Sequence, residues 1–205
     1  MIGILNYGVG NIKAFSNILK SLGFDFKVIE SGEEILNVDK LILPGVGSFD
    51  SVMEKLEHAN VMDELSSFAL KEKRPILGVC VGMQILADSS EEGQKKGLGW
   101  IKGKVKKFNF SSLETKPMIP QIGWNEVLIK KQNCNLLKNL DTNPHFYFLH
   151  SYYFECEDQA NVIAATDYGF EFCSAVNHEN IYGTQFHPEK SHHNGIQLLK
   201  NFATL

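Results

Sequence analysis

Residues 76 to 84 of this 205-residue chain read ILGVCVGMQ. The apolar run Ile76 to Val79 leads into Gly78-Val79-Cys80-Val81-Gly82, and Met83 to Ala87 continues in a helical pattern. Glycines two residues before and two after a nucleophilic side chain, between strand and helix, mark a nucleophile elbow, here with cysteine. The sharp turn strains the nucleophile's backbone, and the glycines remove side chains that would collide. The following helix N-terminus favours thiolate over thiol. The N–H of Val81 is placed to stabilise an oxyanion. On this segment alone a buried structural cysteine at a strand end stays open, because free cysteine also behaves as a small hydrophobe.

A second segment narrows the choice. Residues 183 to 191 read GTQFHPEKS. A strand over Ile181 to Gln185 would deliver His187 beyond its carboxyl end, with Pro188 fixing the turn and Glu189 two residues after the histidine. A cysteine nucleophile needs an imidazole to take its proton and return it to a leaving amine. The imidazole needs a carboxylate to hold its tautomer. The other titratable candidates carry less. Cys134, Cys156 and Cys173 have no CxxC spacing. His58, His145 and His178 have no nameable partner, and His192-His193 lacks a third spaced ligand and reads as a solvated loop. No metal or organic cofactor is called for.

The elements that must carry these groups alternate in the first half. Met1 to Asn6 has strand length. Ile12, Phe15, Ile18, Leu19 and Leu22 recur at helical spacing and stop at Gly23. Further strands are expected at Asp25 to Ile29, Leu41 to Leu43 and Ile76 to Val79, with a helical period over Val61 to Lys71. This βαβ alternation predicts a parallel sheet covered on both faces. The second half is strand-rich: Val105 to Phe108, Glu126 to Ile129, Phe146 to Leu149, Val162 to Thr166, Phe172 to Val176 and Ile181 to Gln185, then a closing helix over Gly195 to Phe202. The expected fold is α/β, a mixed, largely parallel central sheet flanked by helices, with residues 1–205 forming a single domain. Asp88 to Lys96 and Ser111 to Pro120 read as surface loops.

Composition excludes several classes. Net charge is −4 and the pI about 6.0, which gives no basic footprint for nucleic acid. No apolar run is long enough to span a membrane. The first residues lack the basic region of a signal peptide. The expected location is the cytoplasm.

Together, Gly78 to Gly82 and His187-Pro188-Glu189 resemble the class I glutamine amidotransferases. NYGVGN (6–11), PGVGSF (44–49), GVCVGMQ (78–84), PQIGWN (120–125), YFLHSYY (147–153) and HPEKS (187–191) narrow the likeness. They resemble the glutaminase subunits of imidazole glycerol phosphate synthases, from residue 2 to the last helix. The resemblance implies Cys80 as nucleophile, His187 as base and Glu189 as its orienter. It implies an oxyanion hole from the N–H groups of Val46 and Val81, and glutamine held by Gln84, His150, Ser151 and Tyr152. An aromatic core strand is the plainer reading of Tyr147, Phe148, Tyr152 and Tyr153.

The resemblance also implies a heterodimer with a (β/α)₈-barrel cyclase that receives the ammonia for histidine biosynthesis. Gly8 to Asn11 precedes a helix and could cradle an anion, but lacks the spacing of either phosphate-loop motif; by resemblance it lies near the barrel interface. Three positions depart from the family: Gln121 stands where histidine is usual, and Trp100 and Lys102 where an aliphatic residue and proline are. They leave open a related glutaminase serving another synthase, such as one making a nitrogen-bearing surface sugar. Outside this class stand two other readings, a stand-alone cysteine hydrolase and a noncatalytic binding protein.

Overall fold

The computed structural model describes residues 1–205. Its elements in chain order are β1 (Ile2–Leu5), α1 (Ile12–Ser21), β2 (Phe26–Ile29), α2 (Gly32–Ile35), β3 (Lys40–Gly45), α3 (Phe49–His58), α4 (Met62–Ser66), β4 (Ile76–Cys80) and α5 (Val81–Gln84). There follow β5 (Ser89–Ser90), β6 (Gly103–Lys107), β7 (Gln121–Glu126), β8 (Leu128–Ile129), β9 (His145–His150), β10 (Tyr152–Cys156), β11 (Val162–Asp167), β12 (Glu171–His178), β13 (Ile181–Thr184) and α6 (His192–Thr204). One further turn of π-helix, Ser67–Lys71, extends α4.

The strands β2-β1-β3-β4-β13 run parallel. β1 and β4 are buried along their whole length, and so is β3 after Lys40. Continuous apolar runs of this kind belong to a sheet covered on both faces. From β13 the sheet continues antiparallel through β12, β10 and β6, with β11 also paired to β12. β7 and β9 form a separate antiparallel ribbon. One cluster of 54 buried apolar residues runs through the molecule.

Local chemistry explains the boundaries. The Asn11 side chain accepts from the Ala14 N–H at 3.3 Å and starts α1, which buries Phe15 and Leu19. Gly23, at φ +75°, ends it.

Several sequence expectations are corrected. The helix expected over Met83 to Ala87 is the single turn α5, because Leu98 and Ile101 N–H groups take the carbonyls of Ile85 and Leu86. The loop expected over Asp88 to Lys96 contains β5 and folds against α3: Asp50 accepts from the Gln94 and Lys95 N–H groups. The strand expected over Glu126 to Ile129 is split between β7 and β8. The rest of β7, and α3, lie where no element is expected, and β10 carries the aromatic strand read at Tyr152 and Tyr153 on to Cys156. The closing helix starts three residues earlier than expected, so His192 and His193 lie on α6 and not in a loop. His193 pairs with Asp141, and His192 stacks on Trp124 with centroids 4.9 Å apart.

Candidate active site

Three neighbouring parallel strands end at one place. In the register of the sheet, Gly45 faces Cys80 between β3 and β4, and Val79 faces Thr184 between β4 and β13. The next residues off these strand ends are therefore Val46, Val81 and Gln185. Ligand sites in open α/β sheets lie beyond the carboxyl ends of the strands.

Cys80 has φ 56° and ψ −113°. A non-glycine residue at positive φ costs of order 1–3 kcal/mol and persists only where its surroundings enforce it. The enforcement is backbone packed on backbone. A Cβ at Gly78 would lie 2.3 Å from the Gly82 carbonyl oxygen, and one at Gly82 would lie 2.0 Å from the Leu43 oxygen. The spacing of glycines around Cys80 is thus a steric requirement of the turn.

His187 is set by a second group of bonds. Its backbone N–H donates to the Tyr147 carbonyl at 2.9 Å. The Ser191 hydroxyl donates to the His187 carbonyl at 2.6 Å and accepts from the Tyr147 N–H at 3.0 Å. Between Gln185 and His187, Phe186 turns the other way and stacks on Phe146 with centroids 4.0 Å apart. The ring Nδ1 of His187 lies 2.9 Å from Glu189 Oε1, and both side chains are almost fully buried. Nδ1 is thereby committed, which leaves Nε2 for Cys80. Burial alone would lower the pKa of this imidazole. The Cys80 sulfur and the Glu189 carboxylate outweigh burial and raise it to about 9.

A cavity of about 280 Å³ opens over Cys80, at the small end of ligand pockets. Val46, Val81, Gln84, His150, Ser151 and Tyr152 all line it, as does His187; Glu189 stands behind His187. The ring of His150 is largely committed elsewhere. Its Nδ1 donates to the Tyr152 carbonyl at 2.8 Å, and the ring packs among Phe108, Phe148 and Phe172. Burial holds it neutral and drives its pKa down to about 4. Tyr147, read alternatively as core, is half-buried beneath Lys190, whose Nζ lies 5.6 Å from the ring centroid. Phe148 is fully buried.

Sequence reasoning missed three residues here. Glu92 and Lys190 also line the cavity. Glu92 accepts from the Phe49 N–H at 2.7 Å, but one acid in a polar run carries no local signal. Gln185 is fully buried beside Cys80; strand alternation, two residues before His187, was a signal that could have found it. At the Gly8 to Asn11 turn, Lys55 Nζ donates to the Gly8 carbonyl at 3.0 Å, and the Asn11 side chain caps α1.

The profile of glutamine amidotransferase class-I matches residues 4–204. The chain belongs to the class I glutamine amidotransferases. Two relatives in this family are named imidazole glycerol phosphate synthase subunit HisH. That of Leptospira borgpetersenii is 63% identical over 205 residues, and that of Leptospira interrogans 61%, each covering both chains completely. The solved structure of a putative GMP synthase component from Thermoplasma acidophilum shares the fold. It has a TM-score of 0.72 at 22% identity and covers 99% of this chain and 92% of that one.

Proposed function

We propose that this chain is the glutaminase subunit of an imidazole glycerol phosphate synthase, hydrolysing glutamine and passing ammonia to a cyclase partner. The observation that carries this reading is the meeting of Cys80 and the Glu189-held His187 in one cavity, in a chain so close to full-length HisH subunits. The cavity also carries one carboxylate, Glu92, and one ammonium, Lys190, a charge pattern suited to a zwitterionic amino acid.

In the proposed reaction Cys80 gives its proton to His187, and the sulfur attacks the side-chain amide carbon of glutamine. The tetrahedral oxyanion is held by the N–H groups of Val46 and Val81; losing one such donor costs roughly 100- to 1000-fold in rate. His187 protonates the departing nitrogen, and ammonia leaves. Water then cleaves the glutamyl thioester, with His187 as base, releasing glutamate. Gln84, Ser151 and Tyr152 bound the substrate, and His150 braces the turn that carries them.

The partner is read from a surface. On the ribbon β7–β9, Ile122 faces Leu149 and Trp124 faces Tyr147. Ile122 is 60% and Trp124 44% exposed, with Met118 and Ile119 beside them in sequence. Exposed apolar patches of this kind mark interaction sites. Leu149 belongs to both this face and the cavity wall, so a protein docked here would sit where ammonia leaves. We assign the face to a (β/α)₈-barrel cyclase, forming a cytoplasmic heterodimer in histidine biosynthesis. No helix is long and apolar enough to cross a membrane. We read the 205 residues as a single domain.

The departures at Gln121 and Trp100 do not favour another partner. Gln121 is buried, with its Nε2 donating to Asn125 at 2.8 Å, and Trp100 lies in the core cluster. Lys102 pairs with Asp88.

The test is glutamate release from glutamine by the chain alone, and with a cyclase subunit plus its nucleotide ligand. Strong stimulation by partner and ligand, absent in Cys80→Ala, is expected. No stimulation, with Cys80 still reactive toward a glutamine analogue, overturns the assignment of the synthase and points to one making another nitrogen-bearing product.

A further inference from the structure

The nucleophile's surroundings pose a problem that the elbow does not solve. α5 is a single turn, so its dipole is a weak source of thiolate stabilisation; the macrodipole sums over aligned peptides. The thiol's own acceptor is the Leu149 carbonyl, 3.9 Å from Sγ. A carbonyl can only accept, so it offers nothing to the sulfur once the proton has gone. His187, once it holds the proton, is one donor to the sulfur; a second comes from a side-chain amide.

We propose that Gln185 is a positioning residue that holds the Cys80 sulfur and solvates it as thiolate, through a buried amide chain anchored on the Tyr152 carbonyl. Gln185 Nε2 lies 3.9 Å from Cys80 Sγ, and Gln185 Oε1 accepts from Gln84 Nε2 at 3.0 Å. The same Gln84 nitrogen donates to the Tyr152 carbonyl at 2.9 Å. Gln185 is wholly buried and Gln84 nearly so. The Gln185 backbone is pinned by its own N–H, which donates to the Ser174 carbonyl at 2.9 Å.

The direction of this chain follows from its anchor. Side-chain amides look alike from either end, so their orientation rests on their partners. The Tyr152 carbonyl can only accept, which forces Gln84 to present Nε2 there. That nitrogen's second hydrogen then reaches Gln185, which must present its oxygen. Gln185 is left with its nitrogen facing the sulfur. Reversing either amide would set donor against donor or oxygen against oxygen in a buried site, where an unmade hydrogen bond costs roughly 1–3 kcal/mol. Both hydrogens of Gln84 are spent in this way, so it offers the cavity only its carbonyl oxygen. Gln84 can accept from a bound amino acid but cannot donate to it.

The inference rests on Cys80 being the nucleophile, and its test keeps the two claims apart. Alkylation of Cys80 by iodoacetamide is followed by mass at pH 7 and pH 9.5 in the wild type, Gln185→Met and Gln185→Glu. Methionine removes the donor at similar size. Glutamate keeps the shape and the acceptor for Gln84 but sets a carboxyl group, charged when ionised, against the sulfur, so it serves as the second variant if the methionine variant fails to fold. Each variant is expected to lose roughly tenfold or more in rate at pH 7, the scale of a hydrogen bond to a charged group. The loss shrinks at pH 9.5, where the solution drives ionisation. In the glutaminase assay kcat falls while KM for glutamine stays near wild type. Folded variants alkylated at wild-type rate at pH 7 overturn the role of Gln185 and leave Cys80 as nucleophile. A wild-type Cys80 no more reactive than Cys134 overturns the nucleophile reading, and this inference with it.

Discussion

The chain contains two buried thiol environments, and they differ in what surrounds the sulfur. Cys80 sits at positive φ on a cavity, with His187 and the Gln185 amide beside it. Cys156 and Cys173 sit on β10 and β12 with their sulfurs 3.9 Å apart, and Cys173 also donates to the Ala175 carbonyl at 3.5 Å. No base or amide donor reaches that pair. The neighbouring Cys156 sulfur, followed by burial, holds the Cys173 thiol well above its ordinary range. All three cysteines are buried to a similar degree. Neither burial nor a neighbouring cavity therefore separates the two environments, since Cys156 and Cys173 line a cavity of about 270 Å³ of their own; the base and the amide donor do.

The largest expected effect breaks the comparison at its centre. Cys80→Ala should lower glutaminase kcat by about 10⁴-fold or more, as removal of a nucleophile does elsewhere. Cys173→Ala should leave kcat unchanged. Steady-state kinetics on both variants checks this, and a comparable loss in the second would erase the distinction.

Glu189→Gln comes next. It keeps the shape but withdraws the charge that helps raise His187 to about 9. A loss of about 10² to 10⁴ in kcat is expected, the upper end being the cost of a mis-held tautomer in a related triad. The proton on His187 should titrate at lower pH, read by NMR of the ring. An unchanged titration would mean that Glu189 does not orient the imidazole.

Two histidines then make opposite contributions to stability. His187 has a raised value, so its contribution is present below pH 6.5 and lost as pH rises through about 9. His150 has a lowered value: between pH 6.5 and about 4 the unfolded chain binds the proton and the folded chain does not, so stability falls as pH falls. The shift corresponds to about 3 kcal/mol. Denaturant melts of His150→Gln, which keeps a donor for the Tyr152 carbonyl, should lack that part of the acid loss. Identical slopes for variant and wild type would contradict a buried neutral His150.

The smallest effect belongs to the structural pair. Cys173→Ala should cost roughly 1–2 kcal/mol of stability, measured as a shift of the denaturant midpoint. A much larger loss would show that the pair does more than fill space.

Much of this was legible in the sequence, for identifiable reasons. The parallel half was readable because its strands are continuous apolar runs punctuated by Gly23 and Pro75. The elbow was readable because Gly78 and Gly82 answer a steric demand that no other residue meets. His187 and Glu189 were readable because a rigid Pro188 sits between them. The rest depends on contacts distant in sequence. α5 stops after one turn because the backbone near Leu98 and Ile101 takes its following carbonyls. β7, containing Gly123 and polar residues, forms only because β9 offers a ladder. Glu92 reaches the cavity because the polar loop folds onto Asp50 and the start of α3.

The central claim is that Cys80, activated by His187, attacks glutamine. Its most direct test is labelling with a glutamine-derived chloroketone, followed by peptide mapping. The account predicts one label, on Cys80, slowed by excess glutamine and nearly abolished in His187→Ala. Labelling of Cys134 at an equal rate, or of Cys80 without competition by glutamine, would contradict it.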